Sequence, residues 1–219
     1  MSLFKPFKFY AKEQIESLAN GLLQEMQATP NYSPKWPFDA TRVADFLDLG
    51  VIWETIPPDD KGAIAAMILP LKREIIINED IPQLRGGFGE STLAHEIGHW
   101  ILHINHKAVE KFVERADLGM PLPPQQFLCR STSIQKGIEW QAQYFASCLL
   151  MPIPILEEKQ TGRDLTNSRH LYAMAHELGV TISNLKNRLK NLDWIILSAN
   201  SKQIYLGKAA PRRNKQEFG

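Results

Sequence analysis

The chain has 219 residues, of which 44% are hydrophobic and 22% are charged, with 25 Lys and Arg against 24 Asp and Glu. Such a composition is typical of an ordinary globular protein and excludes collagen-like, disordered and disulfide-stapled classes. The formal net charge of +1 gives no overall reason to expect a nucleic-acid or membrane partner.

Cysteine content and apolar runs argue against secretion and against a membrane anchor. Cys129 and Cys148 are too few for a disulfide framework. The first residues contain no apolar core typical of a secretory signal, and the longest apolar run, residues 63–71, is less than half of the ~20 residues that a spanning helix needs. We therefore expect a cytoplasmic protein without a membrane partner.

Two helices and three strands are predicted in the first 80 residues. Apolar residues at helical spacing predict a helix over residues 11–29, and a second, short helix is capped by Asp39 and ends before Gly50. Strand-like runs follow at residues 51–56, 63–69 and 74–77, separated by turns that contain proline. Their succession predicts a small antiparallel meander.

The rest of the chain reads as mainly helical. Residues 85–89 contain three glycines and are expected to form a flexible approach to a strong helix over residues 91–104. A Pro-rich stretch at residues 116–137 predicts an ordered surface loop, and a second strong helix over residues 137–151 ends at Pro152 and Pro154. Two short helices, at residues 169–178 and 181–191, flank Gly179 and precede two short strands, at residues 194–197 and 203–206.

The pentapeptide His95-Glu96-Ile97-Gly98-His99 has the residue types and spacing of a zinc site. Helical residues four apart differ by about 40° in direction, so His95 and His99 project from one face and can bind one zinc ion. Glu96 lies beside that site, where its carboxylate can accept a proton from a zinc-bound water. Gly98 is unfavourable within a helix, and a close approach of another segment would explain it.

A catalytic zinc site needs a third protein ligand and one open position. Glu139 is the favoured candidate, because a carboxylate in a nearly all-apolar helix needs a cation, and Ala142 and Ala146 would let a second helix approach it. His103 and His106 are alternative ligands. Glu139 could instead pair with an arginine or be exposed in the first turn of its helix.

Three segments together resemble the ImmA/IrrE family of zinc metallopeptidases. Residues 95–103 read HEIGHWILH, residues 139–152 read EWQAQYFASCLLMP, and residues 179–192 read GVTISNLKNRLKNL. The resemblance implies a gluzincin-like site with His95, His99 and Glu139 as ligands and Glu96 as catalytic base. It also implies an intracellular substrate, a transcriptional repressor that is often of the helix-turn-helix type. Gln143 departs from the Asn that relatives often carry close to the ligands.

The expected fold is therefore α+β and zincin-like. It consists of a small antiparallel sheet, an HExxH helix packed on a second ligand-bearing helix, and a helix-turn-helix-like C-terminal part. Residues 1–165 are predicted to form the catalytic domain, and residues 166–219 a basic helical extension packed on it. Zn²⁺ is the expected cofactor, and Mn²⁺ is compatible with the same ligands. A peptide substrate is expected to add to a sheet edge, for which residues 74–78 are the candidate.

The charge is unevenly distributed, and this supports a second functional hypothesis. Residues 1–165 hold 16 Lys and Arg and 21 Asp and Glu, a net of −5, whereas residues 166–219 hold 9 and 3, a net of +6. The spacing of five residues is that of a helix-turn-helix: Leu171, Ala175, Gly179, Val180 and Leu185. Its second helix would offer Ser183, Asn184, Lys186 and Asn187 to a DNA groove. The chain is thus either a zinc endopeptidase or a DNA-binding regulator or toxin–antitoxin component with a structural or vestigial metal site. An intact Glu96 favours the endopeptidase, because a structural zinc site needs no general base.

Overall fold

The computed structural model describes residues 2–60, 62–121, 133–198 and 203–211 of the chain. Over these residues the fold is α+β, with eight α-helices, a short 3-10 helix and five strands. The helices are α1 (Lys12–Ala28), α2 (Ala40–Phe46), α3 (Gly87–His103), α4 (His106–Asp117), α5 (Ser133–Leu150), α6 (Ile153–Gln160), α7 (Ser168–Leu178) and α8 (Ile182–Asn191). The strands are β1 (Gly50–Glu54), β2 (Ala66–Leu69), β3 (Glu74–Asn78), β4 (Ile195–Leu197) and β5 (Ile204–Leu206), and the 3-10 helix is Pro82–Leu84. Among the described helices, none combines the length and the apolar character that a membrane crossing requires.

Helix α4 is absent from the sequence prediction. It begins after Asn105, whose side chain accepts a hydrogen bond from Ala108 N at 3.3 Å.

The predicted surface loop at residues 116–137 falls largely on residues 122–132, which include Cys129 and lie outside the described residues. Its last residues, from Ser133 onward, belong to α5.

Helix α6 is likewise unpredicted, because two prolines read as a stop signal. It begins directly after Pro152, and Pro154 occupies its first turn. The missing N–H of a proline removes no helical hydrogen bond at that position. The prolines therefore end one helix and start the next.

The three-stranded sheet is mixed, with the strand order β1-β3-β2. β1 pairs with β3 in parallel, with Val51 opposite Ile75, whereas β2 pairs with β3 antiparallel, with Ile68 opposite Ile75. The predicted antiparallel meander, which would place β2 in the centre, is therefore wrong. β3 carries three consecutive buried isoleucines, Ile75, Ile76 and Ile77, and a central strand covered on both faces buries them all.

The connection between β1 and β2 passes across the end of β3, where the buried Asn78 holds it. Asn78 Nδ2 donates to the carbonyl oxygens of Ile56 at 3.2 Å and Ile64 at 2.8 Å.

The central position of β3 corrects the predicted docking edge at residues 74–78, because both sides of this strand already carry partners. The outer strands are β1 and β2, and β2 packs against α3.

Helices α3 and α5 cross at Gly98, and this crossing positions the candidate site. A Cβ atom at Gly98 would lie 2.9 Å from the carbonyl oxygen of Ala142 and 3.3 Å from the ring of Phe145. Such distances leave no room for a side chain, so glycine alone permits the contact. The predicted close approach of another segment at Gly98 is confirmed, and the structure identifies that segment as α5 at Ala142.

The glycine-rich segment at residues 85–89 is packed only in part, since Arg85, Gly86 and Phe88 are exposed. The prediction of a flexible approach is wrong for residues 87–89, which belong to α3. Gly87 and Gly89 belong to the first turn of α3. A Cβ atom at Gly87 would lie 2.8 Å from the carbonyl oxygen of Gly179, and one at Gly89 would overlap the carbonyl group of Leu84. Both glycines therefore permit close backbone contacts that anchor the start of α3.

The C-terminal helices share one core with the rest of the described chain. A single cluster of buried apolar residues extends from Ile15 in α1 to Ile204 in β5 and includes Leu185 and Leu189 of α8. Gly179 joins α7 to α8 in the left-handed conformation, with φ 74°. The described part of residues 166–219 thus packs against the helices that precede it.

Candidate metal centre

Two imidazoles and one carboxylate converge where α3 crosses α5. His95 and His99 lie about one turn apart on α3, and α5 presents Glu139. One ligand atom from each of these three residues lies within 4.8 Å of the other two. The Nε2 atoms of the two histidines are 3.0 Å apart, and His95 Nε2 lies 3.0 Å from Glu139 Oε2. The fold thus brings together the three residues that the sequence predicts as ligands.

The surroundings of Glu139 fit a cation. Its Oε1 atom is buried without a hydrogen-bond partner among the described residues, and it lies 3.6 Å from His99 Nε2. A buried carboxylate oxygen in this state costs free energy unless a cation satisfies it. Two imidazole nitrogens and one carboxylate oxygen are a donor set typical of catalytic zinc sites. The group of His95, His99 and Glu139 could therefore hold a metal ion.

Neither alternative environment for Glu139 is found in the described residues. Glu139 is the seventh residue of α5 and lies beyond the first turn. Its ion-pair partners are His95 and His99 rather than an arginine.

The electrostatics of the group favour an ionised Glu139 carboxylate and a higher proton affinity of His95. Burial raises the pKa of Glu139, but the neighbouring imidazoles of His95 and His99 outweigh burial and hold this pKa well below its usual value. Burial lowers the pKa of His95, but the hydrogen bond with Glu139 and the charge of Glu96 outweigh it and raise this pKa. Metal binding at this group therefore competes with a proton on His95.

His103 lies behind the metal group and contacts His99. Its Nδ1 atom is 3.0 Å from His99 Nδ1, and its Nε2 atom is 3.1 Å from Oε1 of the fully buried Gln141. Gln141 Nε2 in turn donates to the carbonyl oxygen of Lys8 at 3.0 Å. These four residues form a continuous hydrogen-bonded chain that ends at a predicted ligand.

In a neutral His99, these hydrogen bonds determine which ring nitrogen carries the proton. The Lys8 carbonyl only accepts hydrogen bonds, so the amide nitrogen of Gln141 faces it and the amide oxygen faces His103. His103 then donates from Nε2 and accepts at Nδ1, which makes His99 Nδ1 a donor and leaves a lone pair on His99 Nε2. That Nε2 atom is the one that faces His95 and Glu139. Burial lowers the pKa of His103 to about 4 and keeps this histidine neutral, as the arrangement requires.

His106 is turned toward Trp100 instead of the metal group. Its Nε2 atom donates to the carbonyl oxygen of Trp100 at 2.8 Å, and the two rings stack with centroids 4.6 Å apart. Within the described residues, neither His103 nor His106 contributes to the group of ligand atoms.

Glu96 and Gln143 lie next to the metal group. Glu96 is almost fully buried on α3, with 9% of its surface exposed, and its charge acts on His95. Gln143 lies about one turn after Glu139 on α5, and its side chain interacts with His95. Both residues therefore neighbour the predicted ligands, although neither belongs to the ligand group.

Sequence reasoning missed Gln141 and Lys8. Gln141 stands out only as a polar residue in a nearly apolar helix, and this signal does not identify its partner. Lys8 contributes its main-chain carbonyl, so no side-chain pattern points to it.

Helix α8 turns part of its predicted DNA-binding face toward the core. Asn184 Nδ2 donates to Ser91 Oγ on α3, and Arg188 is fully buried. Ser183 and Asn187 are exposed, and Lys186 is half-buried.

Comparison with known proteins reveals a likeness of fold. No family model matches the chain, and no curated protein matches it. A solved structure described as a Mycobacterium tuberculosis transcriptional regulator is similar, with a TM-score of 0.50 and 12% sequence identity. The match covers 87% of this chain and 49% of that chain, so this chain spans about half the length of that structure. At this identity the likeness concerns the fold alone.

Proposed function

We propose that this chain is a zinc-dependent endopeptidase of the ImmA/IrrE type. The observation that carries the proposal is the convergence of ligand atoms from His95, His99 and Glu139 to within 4.8 Å of one another. Glu96 stands beside this group without being part of it. A structural metal site needs no such carboxylate, so the arrangement favours a catalytic site.

Each residue of the site has a definite part in the proposed reaction. His95, His99 and Glu139 would hold Zn²⁺, and Mn²⁺ is compatible with the same nitrogen and oxygen donors. A bound ion would supply Lewis acidity toward the scissile carbonyl group and toward water. Glu96 accepts a proton from the attacking water and passes it to the leaving amine. The hydrogen-bonded chain behind His99 keeps its Nε2 lone pair directed at the ligand position.

The proposal includes a zincin-like arrangement, with the HExxH helix α3 packed on the ligand-bearing helix α5. Residues 1–165 would form the catalytic domain, and residues 166–219 its basic helical extension. The substrate class rests on the resemblance to the ImmA/IrrE family, and it is a helix-turn-helix repressor in the cytoplasm whose cleavage relieves repression. The strand order β1-β3-β2 removes β3 as the edge that a peptide could extend, because both of its sides are already paired.

Cleavage of purified candidate repressors tests this function. Zn²⁺-loaded wild-type protein and Glu110→Gln, a variant of an exposed carboxylate on α4, are expected to cleave at the same rate. A chelator should abolish cleavage, and Glu96→Gln should lose it while still binding zinc. Cleavage by Glu96→Gln at the wild-type rate would overturn the proposed mechanism.

A DNA-binding regulator or toxin–antitoxin component with a structural metal site is the second candidate. Three observations favour it: α7 and α8 flank Gly179 in helix-turn-helix order, residues 166–219 hold 9 Lys and Arg against 3 Asp and Glu, and the similar solved structure is described as a transcriptional regulator. The burial of Arg188 and the inward position of Asn184 argue against it. Binding to duplex DNA that weakens steeply with salt would support this candidate, and a flat signal would exclude it.

A further inference from the structure

A cavity of about 420 Å³ lies between α5 and α8. Its α8 wall carries three asparagines, Asn184, Asn187 and Asn191, at positions i, i+3 and i+7 of the helix. This spacing places them on one face, in a row about 10 Å long. Lys190 adds a positive charge to the same wall.

The α5 wall of the cavity adjoins the metal group. Gln143 lines the cavity and its side chain also interacts with His95. Trp140 directly follows Glu139 in α5 and stacks on Tyr144, with ring centroids 5.5 Å apart. The cavity therefore offers an aromatic pair close to the metal group and a row of amides on the facing helix.

The chemistry of this lining fits an extended peptide. A carboxamide side chain has one acceptor oxygen and two donor hydrogens, which match the N–H and C=O groups of a peptide main chain. An extended chain rises about 3.3 Å per residue, so the row of asparagines spans about three residues of it. None of the described lining residues is Asp or Glu, and Lys190 therefore favours an acidic side chain in the ligand.

We propose that this cleft binds an extended segment of the protein substrate, with its main chain on Asn187 and Asn191 and an acidic residue beside Lys190. The stacked rings of Trp140 and Tyr144 accept an apolar side chain near the metal group. This inference rests on the proposed function, because it assigns the binding path of the substrate at the same site. Main-chain pairing lets the cleft accept varied sequences, while the ring pair and Lys190 supply its preferences.

Peptide selection tests the cleft separately from catalysis. Random dodecapeptides displayed on phage are selected on Zn²⁺-loaded Glu96→Gln protein, which keeps the ligand intact, and synthetic copies are then titrated. The same titrations are made in the Glu96→Gln background with the pair Asn187→Leu and Asn191→Leu, with Lys190→Ala, and with Lys186→Ala as the control. Lys186 lies on α8 but does not line the cavity. Asn187, Lys190 and Asn191 are exposed, so these substitutions should not unfold the protein.

The asparagine pair should weaken peptide binding about ten-fold, the effect of losing two hydrogen bonds. N-methylation of the paired peptide amide should weaken binding to the parent protein but not to the asparagine variant. Lys190→Ala should weaken acidic peptides selectively, and Lys186→Ala should change nothing. Failure to enrich any peptide, or affinities that the asparagine variant leaves unchanged, would overturn the inference.

The cleft and the proposed function can fail independently. Peptides that bind as expected, combined with no cleavage of any repressor by the wild type, would keep the cleft assignment and remove the peptidase proposal. Repressor cleavage with the same kcat/KM in the wild type and in the asparagine variant would keep the peptidase proposal and overturn the cleft assignment.

Discussion

Arg188 on α8 and Glu16 on α1, which lie 172 residues apart, form a two-pronged ion pair in the protein interior. Arg188 Nη1 donates to Glu16 Oε2 at 2.9 Å, and Nη2 donates to Glu16 Oε1. Arg188 Nε donates to the carbonyl oxygen of Met151 at 3.1 Å, and the arginine side chain is 0% exposed. The pair links the C-terminal helices to the first helix through a fully buried guanidinium group and a carboxylate side chain that is 15% exposed.

Removing one partner of this pair should destabilise the protein strongly. We expect Glu16→Ala to lower the free energy of unfolding by about 3–5 kcal/mol, because Arg188 would stay buried without its counter-charge. Glu177→Ala is the matched control, since it breaks the more exposed pair with Arg163 and should cost about 1 kcal/mol or less. Urea unfolding of the variants measures both effects.

A double variant separates the cost of the unpaired charge from the contribution of the pair itself. Glu16→Met combined with Arg188→Met should recover much of the stability that Glu16→Ala loses, because apolar side chains can replace a buried pair. Equal losses for Glu16→Ala and Glu177→Ala would contradict the burial of the pair.

Gly98→Ala should disturb the site through the helix crossing. A methyl group there would lie 2.9 Å from the Ala142 carbonyl oxygen, so α3 and α5 must separate. We expect a loss of about 1–3 kcal/mol in stability and weaker zinc binding, because His95 and Glu139 sit on opposite sides of the crossing. Thermal unfolding and zinc titration measure these effects.

Gly21→Ala is the control for this variant, because a Cβ atom at Gly21 within α1 would meet no atom within 4 Å. It should stabilise the protein by about 0.5–1 kcal/mol. A stabilised Gly98→Ala protein with unchanged zinc affinity would show that the helices do not cross as closely as described.

Zinc content should depend on the three converging residues. The wild-type protein is expected to bind about one zinc per chain, as one group of ligand atoms holds one ion, and His95→Ala and Glu139→Ala should each lose it. His106→Ala should retain zinc, because His106 binds the Trp100 carbonyl oxygen. Elemental analysis after dialysis provides the measurement. Zinc retained in Glu139→Ala would shift the third-ligand assignment to another residue.

The chain of contacts behind His99 should tune metal affinity without touching the ion. Gln141→Leu removes the acceptor that orients His103, and we expect zinc affinity to fall about 10- to 100-fold. Competition with a chromophoric chelator measures the affinity, and nitrogen-15 NMR of the imidazoles reports the tautomer of His99 in the metal-free protein. His106→Phe is the control and should leave both readouts unchanged. An unaltered zinc affinity in Gln141→Leu would contradict a positioning role for the hydrogen bonds that link Gln141 and His103 to His99.

Local sequence patterns were sufficient to predict that His95 and His99 lie on the same face of a helix. Residues four apart on a helix point the same way whatever surrounds them, so the spacing of His95 and His99 implied that they share one ligand position. The small residues Gly98 and Ala142 also predicted the helix crossing, because a missing side chain directly implies a close neighbour. Local patterns did not reveal α6, since Pro152 and Pro154 can stop one helix or start another.

The order of the strands could not be read from local patterns. β1, β2 and β3 all appear as short apolar runs, and their order depends on which run is covered on both faces, which is a property of the whole core. The glycines at Gly87 and Gly89 posed the same difficulty, because glycine is suited both to flexible loops and to close backbone contacts.

The sequence by itself therefore determined the composition of the candidate metal site and most of the helices, because helical periodicity acts over a few residues. Only the tertiary structure decided how these parts support one another. The contact from Gln141 to the Lys8 carbonyl spans 133 residues, and the ion pair of Arg188 with Glu16 spans 172. Such partners are selected by burial, which leaves a polar group no alternative to whatever partner the fold brings within reach.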